Sequence, residues 1–237
     1  MGRAISERKS ELLDAARDLI FSEGAGRFTM RRLAQRVGIT EGAVYRHFAS
    51  KEELLLALLA RLFDRMRRGF AALARHAAPA PVRLRTLGRL HLALLLESRI
   101  NPALLLSDAI DPEQASLRQV LARQLEFFRR LIGGIIRQGM REGSLSATLD
   151  AEAAVRCVLG LLQGAVIRWT IAGGAVGLRA QVDRSLCLLL AGFGAKPPFG
   201  QPLPLSSFGP SATERAAGGS MVARLPPSRG RRRGKKP

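Results

Sequence analysis

The sequence predicts an all-α protein, and two patterns carry that prediction. Apolar residues recur every three or four positions along almost the whole chain up to about residue 194, and no stretch alternates apolar and polar residues. Helix start signals precede several of these stripes, among them Asp111-Pro112 and Asp150. We expect longer helices near residues 6–23, 50–75, 82–100, 111–142, 150–172 and 178–193.

Between the first two long helices, TMRRLAQRVGITEGAVYRHFASK predicts two short helices joined by a glycine turn. Thr29 and Thr40 can each cap a helix start, and Gly38 suits a left-handed turn between them. In the second helix only Val44 and Phe48 are clearly apolar, so one narrow edge is buried and the rest is free. Such a pair of helices enters the major groove of DNA. A helical hairpin that merely packs is the alternative.

FTMRRLAQRVG followed by ITEGAVYRHFASKEELL resembles the helix-turn-helix of the tetracycline-repressor (TetR) family of bacterial regulators, over roughly the first sixty residues. The resemblance implies that phosphates are contacted by Tyr45, His47 and Lys51, with Thr29 and Arg31 or Arg32 at the flanking backbone. It also implies that the base edges are approached by Thr40, Glu41, Gly42, Ala43 and Arg46.

The chemistry of these residue types agrees with such roles. Lys51 begins a helix, where the positive end of the helix dipole favours a phosphate. Gly42 and Ala43 have so little bulk that their helix can approach the bases closely. Arg46 can bind guanine, and Glu41 can accept from a cytosine amino group or instead pair with a neighbouring arginine.

The resemblance further implies a small-molecule inducer pocket inside the helical body. The scarcity of charge in the predicted core stripes favours an apolar or amphipathic ligand. Candidate lining residues are Phe63, Met66, Phe70, His91, Leu94, Leu105, Phe127, Leu131 and Trp169. The alternative is that these residues are ordinary core, with His91 a satisfied or partly exposed histidine.

The last two helices also carry apolar stripes, which the family would use in a four-helix dimer interface. The predicted interface residues are Leu159, Leu162, Val166, Leu186, Leu189, Leu190 and Phe193. A homodimer fits the small size of one reading helix, because two heads one helical turn apart would read a palindrome. The alternative is that these stripes close the core of a single chain.

The chain divides into a predicted head at residues 1–50 (extending to about 65), a ligand-binding and dimerisation body at 51–194, and a tail at 195–237. Residues 1–10 are expected to form a polar, basic arm or a frayed terminus. The tail holds nine basic residues and one acidic residue, against a net charge of +19 for the chain, and reads as disordered. It would either add sequence-independent affinity for DNA or act as a passive solubilising extension.

Composition disfavours other classes of protein. No apolar run suits a membrane span or a signal segment, and a membrane-surface role for the tail lacks an amphipathic anchor. Cys157 and Cys187 are expected to be buried free thiols in a reducing cytoplasm, with the protein on the nucleoid. The three histidines form no recognisable catalytic or metal-binding arrangement, so we expect no enzyme, cofactor or metal.

The sequence therefore predicts a homodimeric transcriptional regulator that binds double-stranded DNA. Repression of a palindromic operator, relieved by a small molecule, is the expected mode of action. A nucleoid-occlusion type regulator of cell division with a protein partner is the alternative, because the resembled family contains one.

Overall fold

The chain folds into helices only. The computed structural model describes residues 2–23, 27–98, 115–171 and 177–208, and these parts contain no β-strand. The α-helices are α1 (Gly2–Glu23), α2 (Met30–Val37), α3 (Glu41–Tyr45), α4 (Lys51–Ala74), α5 (Ala80–Ser98), α6 (Ala115–Arg141), α7 (Ala151–Ile171) and α8 (Leu178–Gly192). The all-α prediction is confirmed, although the predicted start of α6 at Asp111-Pro112 lies outside the described residues.

The head consists of α1, α2 and α3, closed by the first turns of α4. Its centre is fully buried, with Leu12 on α1, Leu33 on α2 and Val44 and Phe48 around α3 all 0% exposed. These are the apolar positions whose helical spacing predicted the head. Residues 1–10 were expected to form a separate arm or a frayed terminus, and this is wrong from residue 2 onwards, because α1 is already helical at Gly2.

Helix α4 connects the head to the body. Its start is a capping box: the Ser50 hydroxyl accepts from the Glu53 N–H at 3.0 Å, and the Glu53 carboxylate accepts from the Ala49 N–H at 2.6 Å. Asp14 on α1 pairs with Arg61 on α4 at 3.1 Å. The orientation of the head is therefore coupled to the direction of α4.

The body packs α5 against α4, α6 and α8, with α7 against α6 and α8. The approach of α6 to α5 requires a glycine, since a Cβ on Gly139 would lie 2.5 Å from the Cβ of Ala80. Nearby, the 1% exposed Arg83 donates to the Ala74 carbonyl at 3.1 Å and to the Gln138 amide oxygen at 2.9 Å. Arg83 thus fixes the C-terminal end of α4 to α5 and α6, and burial lowers its pKa.

Residues 195–208 form a C-terminal strap across the body, so the predicted start of a disordered tail at 195 is wrong. The Leu203 N–H donates to the Thr86 hydroxyl at 2.9 Å. A short 3₁₀ helix, Leu205–Phe208, then packs on α4, where Phe208 is buried and its carbonyl oxygen lies 3.4 Å from a Cβ built on Gly69. The apolar residues of this Pro-rich segment are what attach it.

Candidate nucleic-acid interface

The turn between α2 and α3 is fixed by local hydrogen bonds. The Thr29 hydroxyl accepts from the Arg32 N–H at 3.2 Å and starts α2, and the Thr40 hydroxyl accepts from the Ala43 N–H at 3.2 Å and starts α3. Gly38, at φ 71°, makes the left-handed turn between them. These contacts set the angle between the two helices.

The outer face of this unit is open to solvent. Val44 and Phe48 fill the inner edge of α3, which leaves its remaining residues on the surface. A Cβ built on Gly42 would meet no atom within 4 Å, so the middle of α3 lies open and another molecule can approach its backbone closely. Nine of the predicted DNA-contact residues are exposed, while Ala43 and His47 are half-buried; the exposed ones are Thr29, Arg31, Arg32, Thr40, Glu41, Gly42, Tyr45, Arg46 and Lys51.

The charges on this face are only partly neutralised. Arg32 pairs with Glu23 at 2.7 Å, which ties it to the end of α1. Arg31 and Arg46 form no ion pair with any described residue. Glu41 likewise has no arginine partner within the described chain, so its predicted alternative role as a structural ion pair is not observed.

Lys51 stands at the first position of α4, beside the backbone N–H groups that no intrahelical acceptor satisfies. Its ammonium lies 5.8 Å from the centre of the Phe28 ring. The ring limits the positions of the ammonium without neutralising it. The Glu53 N–H of this turn is taken by the Ser50 hydroxyl, so the positive charge coincides with the unbonded N–H groups of Lys51 and Glu52 at the edge of the α2–α3 unit.

In the body, some of the predicted pocket residues form an aromatic cluster, and the others are not part of it or lie outside the described residues. Phe70 and His91 pack edge-on against Phe128 at 5.1 and 5.3 Å between ring centroids, and Phe127 lies 5.8 Å from Phe128. Phe128 is thus the centre of the cluster, although it was not among the candidates. Burial lowers the pKa of His91 to about 4. The other candidates are Phe63, Met66 and Leu94, which are buried, Leu131 and Trp169, which are half-buried, and Leu105, which lies outside the described residues.

The predicted dimer interface needs correction. Five of its residues are covered within the single chain and therefore cannot be the surface that a second chain covers; they are Leu162, Val166, Leu186, Leu190 and Phe193, each at most 6% exposed. Leu159 and Leu189 are half-buried. The opposite side of α8 carries Leu188, which is 76% exposed. The five covered residues thus close the body, and the assignment of Leu159 and Leu189 to a dimer interface stays a prediction.

The head is a helix-turn-helix DNA-binding unit: two short capped helices around a left-handed glycine, with the second helix buried along one edge only. Residues 12–58 match the family model described as "Bacterial regulatory proteins, tetR family". Residues 77–193 match the model for a tetracyclin repressor-like C-terminal domain. The chain belongs to the TetR family of bacterial DNA-binding transcriptional regulators.

Known relatives agree with this assignment. The chain is 31% identical over 176 residues to the nucleoid occlusion factor SlmA of Vibrio atlanticus, covering 71% of this chain and 86% of that protein. It is 29% identical over 196 residues to the HTH-type transcriptional repressor KstR2 of Rhodococcus jostii, covering 79% and 91%. The fold matches the structure of the regulator FadR from Bacillus subtilis in complex with stearoyl-CoA, with a TM-score of 0.60, 22% identity and coverage of 77% and 98%.

The described parts of the chain hold both cysteines as free thiols, but the prediction that they are buried is wrong for Cys157, which is exposed. No helix there has the length and apolar character to cross a membrane. Those residues also bring together no group of three or more His, Cys, Asp or Glu side chains that could hold a metal ion.

Proposed function

We propose that α3 enters the major groove of an operator while α2 and the start of α4 hold the phosphate backbone. The observation that carries this proposal is the open face of α3, where Gly42 projects no side chain and Arg46 is exposed without an ion-pair partner among the described residues. A helix that is buried along one edge only has its other residues free for base edges.

The phosphate contacts are assigned to the rim of this face. Tyr45, His47 and Lys51 follow one another around the end of α3 and the start of α4, where the helix dipole adds a positive partial charge. Thr29 and Arg31 occupy the start of α2 and would hold the flanking strand. Arg32 is the weaker candidate because Glu23 already neutralises it.

Base recognition is assigned to α3 itself. Arg46 can donate to O6 and N7 of a guanine, and Glu41 can accept from a cytosine amino group. Ala43 can contact a thymine methyl. Thr40 lies at the helix start with its hydroxyl bonded to a backbone N–H, so its methyl group is the part free to contact DNA.

We infer that two chains assemble through the outward side of α7 and α8, rather than through the buried stripes. That side carries the 76% exposed Leu188 and the small residues Gly160 and Ala191. A Cβ on Gly160 would meet nothing within 4 Å, which leaves room for a partner helix to approach closely. Burial of this side by a second chain would place two heads on one palindrome.

The response is proposed to be repression relieved by a small apolar or amphipathic molecule in the body. KstR2 is named a repressor, and FadR binds stearoyl-CoA in the structure that matches this fold. Phe70 on α4 lies in the aromatic cluster around Phe128, so a molecule wedged there would displace α4 and with it the head. Such a molecule must bind the two orientations of α4 with different affinities.

A nucleoid-occlusion role is the second candidate, because the chain is 31% identical to SlmA of Vibrio atlanticus. In that case the protein would occupy many chromosomal sites and bind a protein partner through the body. The number of sites on the chromosome separates the two functions.

The test begins with selection of the bound sequences from a random DNA pool by the full-length protein. We expect a palindrome whose half-sites lie about 34–36 Å apart or a multiple of that spacing. Lys51→Ala should then reduce the steepness of the salt dependence of binding by about 0.9 in log–log slope, the contribution of one phosphate contact. Lys196→Ala is the matched control, since Lys196 is also exposed but lies in the C-terminal strap.

Two outcomes would contradict the proposal. One is a pool that yields no common sequence, which would mean that the head does not read bases. The other is an equal change in salt slope for both lysine variants, which would mean that the start of α4 has no special contact with phosphate.

A further inference from the structure

Two polar side chains inside the body have no hydrogen-bond partner. Gln124 on α6 is 5% exposed, and both its amide nitrogen Nε2 and its amide oxygen Oε1 are buried and unbonded. On α5, the Nδ1 atom of His91 is also buried and unbonded. These atoms are notable because the rest of the core around them is apolar.

The two side chains belong to the same part of the body. Helices α5 and α6 run antiparallel, since Gly139 lies beside Ala80 at one end and Phe128 lies beside His91 further along. Gln124 is one turn before Phe128 on the same face of α6. Both unbonded groups therefore border the aromatic cluster around Phe128.

The third wall of this region is α4. Phe70 packs on Phe128 at 5.1 Å between ring centroids, and Met66 lies one turn nearer the head at 2% exposure. A molecule that contacts Gln124 and Phe128 on α6 from the side of α4 would thus press on the connecting helix. This is the part of the body through which a ligand can act on the orientation of the head.

An unbonded buried amide is costly. Each buried donor or acceptor without a partner loses about 1–3 kcal/mol relative to its hydrated state, and folded proteins retain few such groups. Leucine would fill the space of Gln124 without that cost. A glutamine whose donor and acceptor are both vacant is therefore suited to a partner that enters from outside the chain.

We propose that Gln124, with His91 beside it, binds the polar group of an uncharged ligand whose remaining surface is apolar, the polar group being a carboxamide or a similar donor–acceptor pair. This rests on the proposed ligand-regulated function and specifies the chemical class of the ligand. The Gln124 nitrogen donates to the ligand carbonyl, and the Gln124 oxygen accepts from the ligand N–H. The aromatic cluster holds the apolar part.

The charges of the body favour an uncharged ligand. The buried and half-buried charged side chains of α4 and α5 all have partners: Arg65 pairs with Glu97, Arg85 with Asp183, and Arg83 is bonded to Gln138 and Ala74. Because burial lowers the pKa of His91 to about 4, its imidazole is neutral at pH 7. A carboxylate or an ammonium would find no counter-charge here and would lose its hydration.

The first test uses the full-length protein without ligand. Gln124→Leu should raise the thermal midpoint by several degrees, because it removes two unbonded polar atoms and keeps the core filled. Gln119→Leu, on the exposed side of the same helix, is the matched control and should leave the midpoint unchanged. A lower midpoint for Gln124→Leu would overturn the proposal, since it would show that the amide is satisfied within the folded protein, for example by a buried water.

The second test measures binding of three eight-carbon probes by titration calorimetry: octanamide, octanoate and octylamine. We expect octanamide to bind at least about tenfold more tightly than either charged probe, and Gln124→Leu to weaken it by about 10–100-fold, as the loss of one or two buried hydrogen bonds implies. Gln119→Leu should bind octanamide as the wild type does. Absence of octanamide binding, equal binding by Gln124→Leu, or preference for octanoate would each overturn the proposal.

The same three proteins are then assayed on the selected operator DNA. Tight, sequence-specific DNA binding combined with failure of the octanamide test overturns the ligand assignment alone. Absence of sequence-specific DNA binding by the wild type overturns the proposed function, regardless of which probes the protein binds. The two failures are therefore distinguishable.

Discussion

Gly139→Ala is expected to destabilise the protein although it replaces a glycine in the last turn of α6. A Cβ at this position would lie 2.5 Å from the Cβ of Ala80 and 2.9 Å from two side-chain carbons of Leu145. Carbon atoms in contact normally stay about 3.5–4.0 Å apart. Because the Ala80 Cβ is fixed to the backbone of α5, the two helices must separate by roughly 1 Å to remove the overlap.

The magnitude follows from two opposing terms. Overpacking of a core costs about 1–3 kcal/mol, whereas alanine gains about 1 kcal/mol over glycine in a helix. We therefore expect a net loss of up to about 2 kcal/mol for Gly139→Ala, or a fall of up to a few degrees in the thermal midpoint of a chain of this size.

Gly134→Ala provides the matched control on the same helix. Gly134 is exposed, and a Cβ there would meet no atom within 4 Å, so only the gain in helix propensity of about 0.5–1 kcal/mol applies. Urea unfolding of the two variants, followed by circular dichroism, measures both free energies. Equal changes of the same sign in the free energy of unfolding of the two variants would refute the packing of α6 on α5. They would also refute the hydrogen bonds by which Arg83 joins the C-terminal end of α4 to α6.

Two further predictions concern the C-terminus and the body. Ending the chain after Phe208 removes eight basic residues and one acidic residue, so it should flatten the salt dependence of DNA binding but leave the thermal midpoint and the preferred sequence unchanged. Ending the chain after Gly194 also removes the C-terminal strap and should lower the thermal midpoint. Equal thermal midpoints for the two truncated proteins would contradict the packing of the strap. Burial lowers the pKa of the His91 imidazole to about 4, so the unfolded chain binds this proton more readily and the stability present above pH 6.5 is lost as the pH falls towards 4. His91→Phe should remove about 1–3 kcal/mol of this loss, measured as the difference between the wild-type and variant profiles of unfolding free energy against pH. Superimposable profiles would contradict the burial of the ring.

The head could be predicted from the sequence because its determinants are local. The caps Thr29 and Thr40 and the left-handed Gly38 act within a few residues of where they stand, and each is found as expected. Val44 and Phe48 had to face inward, since α3 has no other clearly apolar edge. Short-range hydrogen bonds and helical spacing are enough for such a unit.

The partner of an apolar stripe could not be predicted in the same way. The apolar stripe predicted Leu186 and Leu190 to contact a second chain, but both are buried within one chain, and Gly88 on α5 allows Leu186 to approach closely. Periodicity identifies the buried side of a helix and does not identify what buries it. The exposure of Leu188, two positions from each, became evident only from the fold.

Long-range polar contacts and the strap were also beyond the sequence. Arg83 lies in a basic stretch, PVRLRTLGR, and arginine side chains are mostly exposed, yet Arg83 is buried. It bonds to the Ala74 carbonyl, nine residues earlier, and to Gln138 on a helix far along the chain. Phe208 lies in a Pro-rich, basic segment whose average composition predicted disorder. A few apolar side chains and a hydrogen bond to Thr86 outweigh that average.

Helix α3 of the head is expected to direct the protein to particular sites on DNA. The most direct measurement is a genome-wide map of occupancy for the wild type, Tyr45→Ala and Leu125→Ala, where the two mutated side chains are almost equally exposed at 46% and 45% but only Tyr45 lies on the head. We predict that the wild type and Leu125→Ala occupy the same palindromic site beside a regulated gene and that Tyr45→Ala does not. Many scattered sites would favour the nucleoid-occlusion alternative, and diffuse occupancy that is the same for all three proteins would contradict the account of the head.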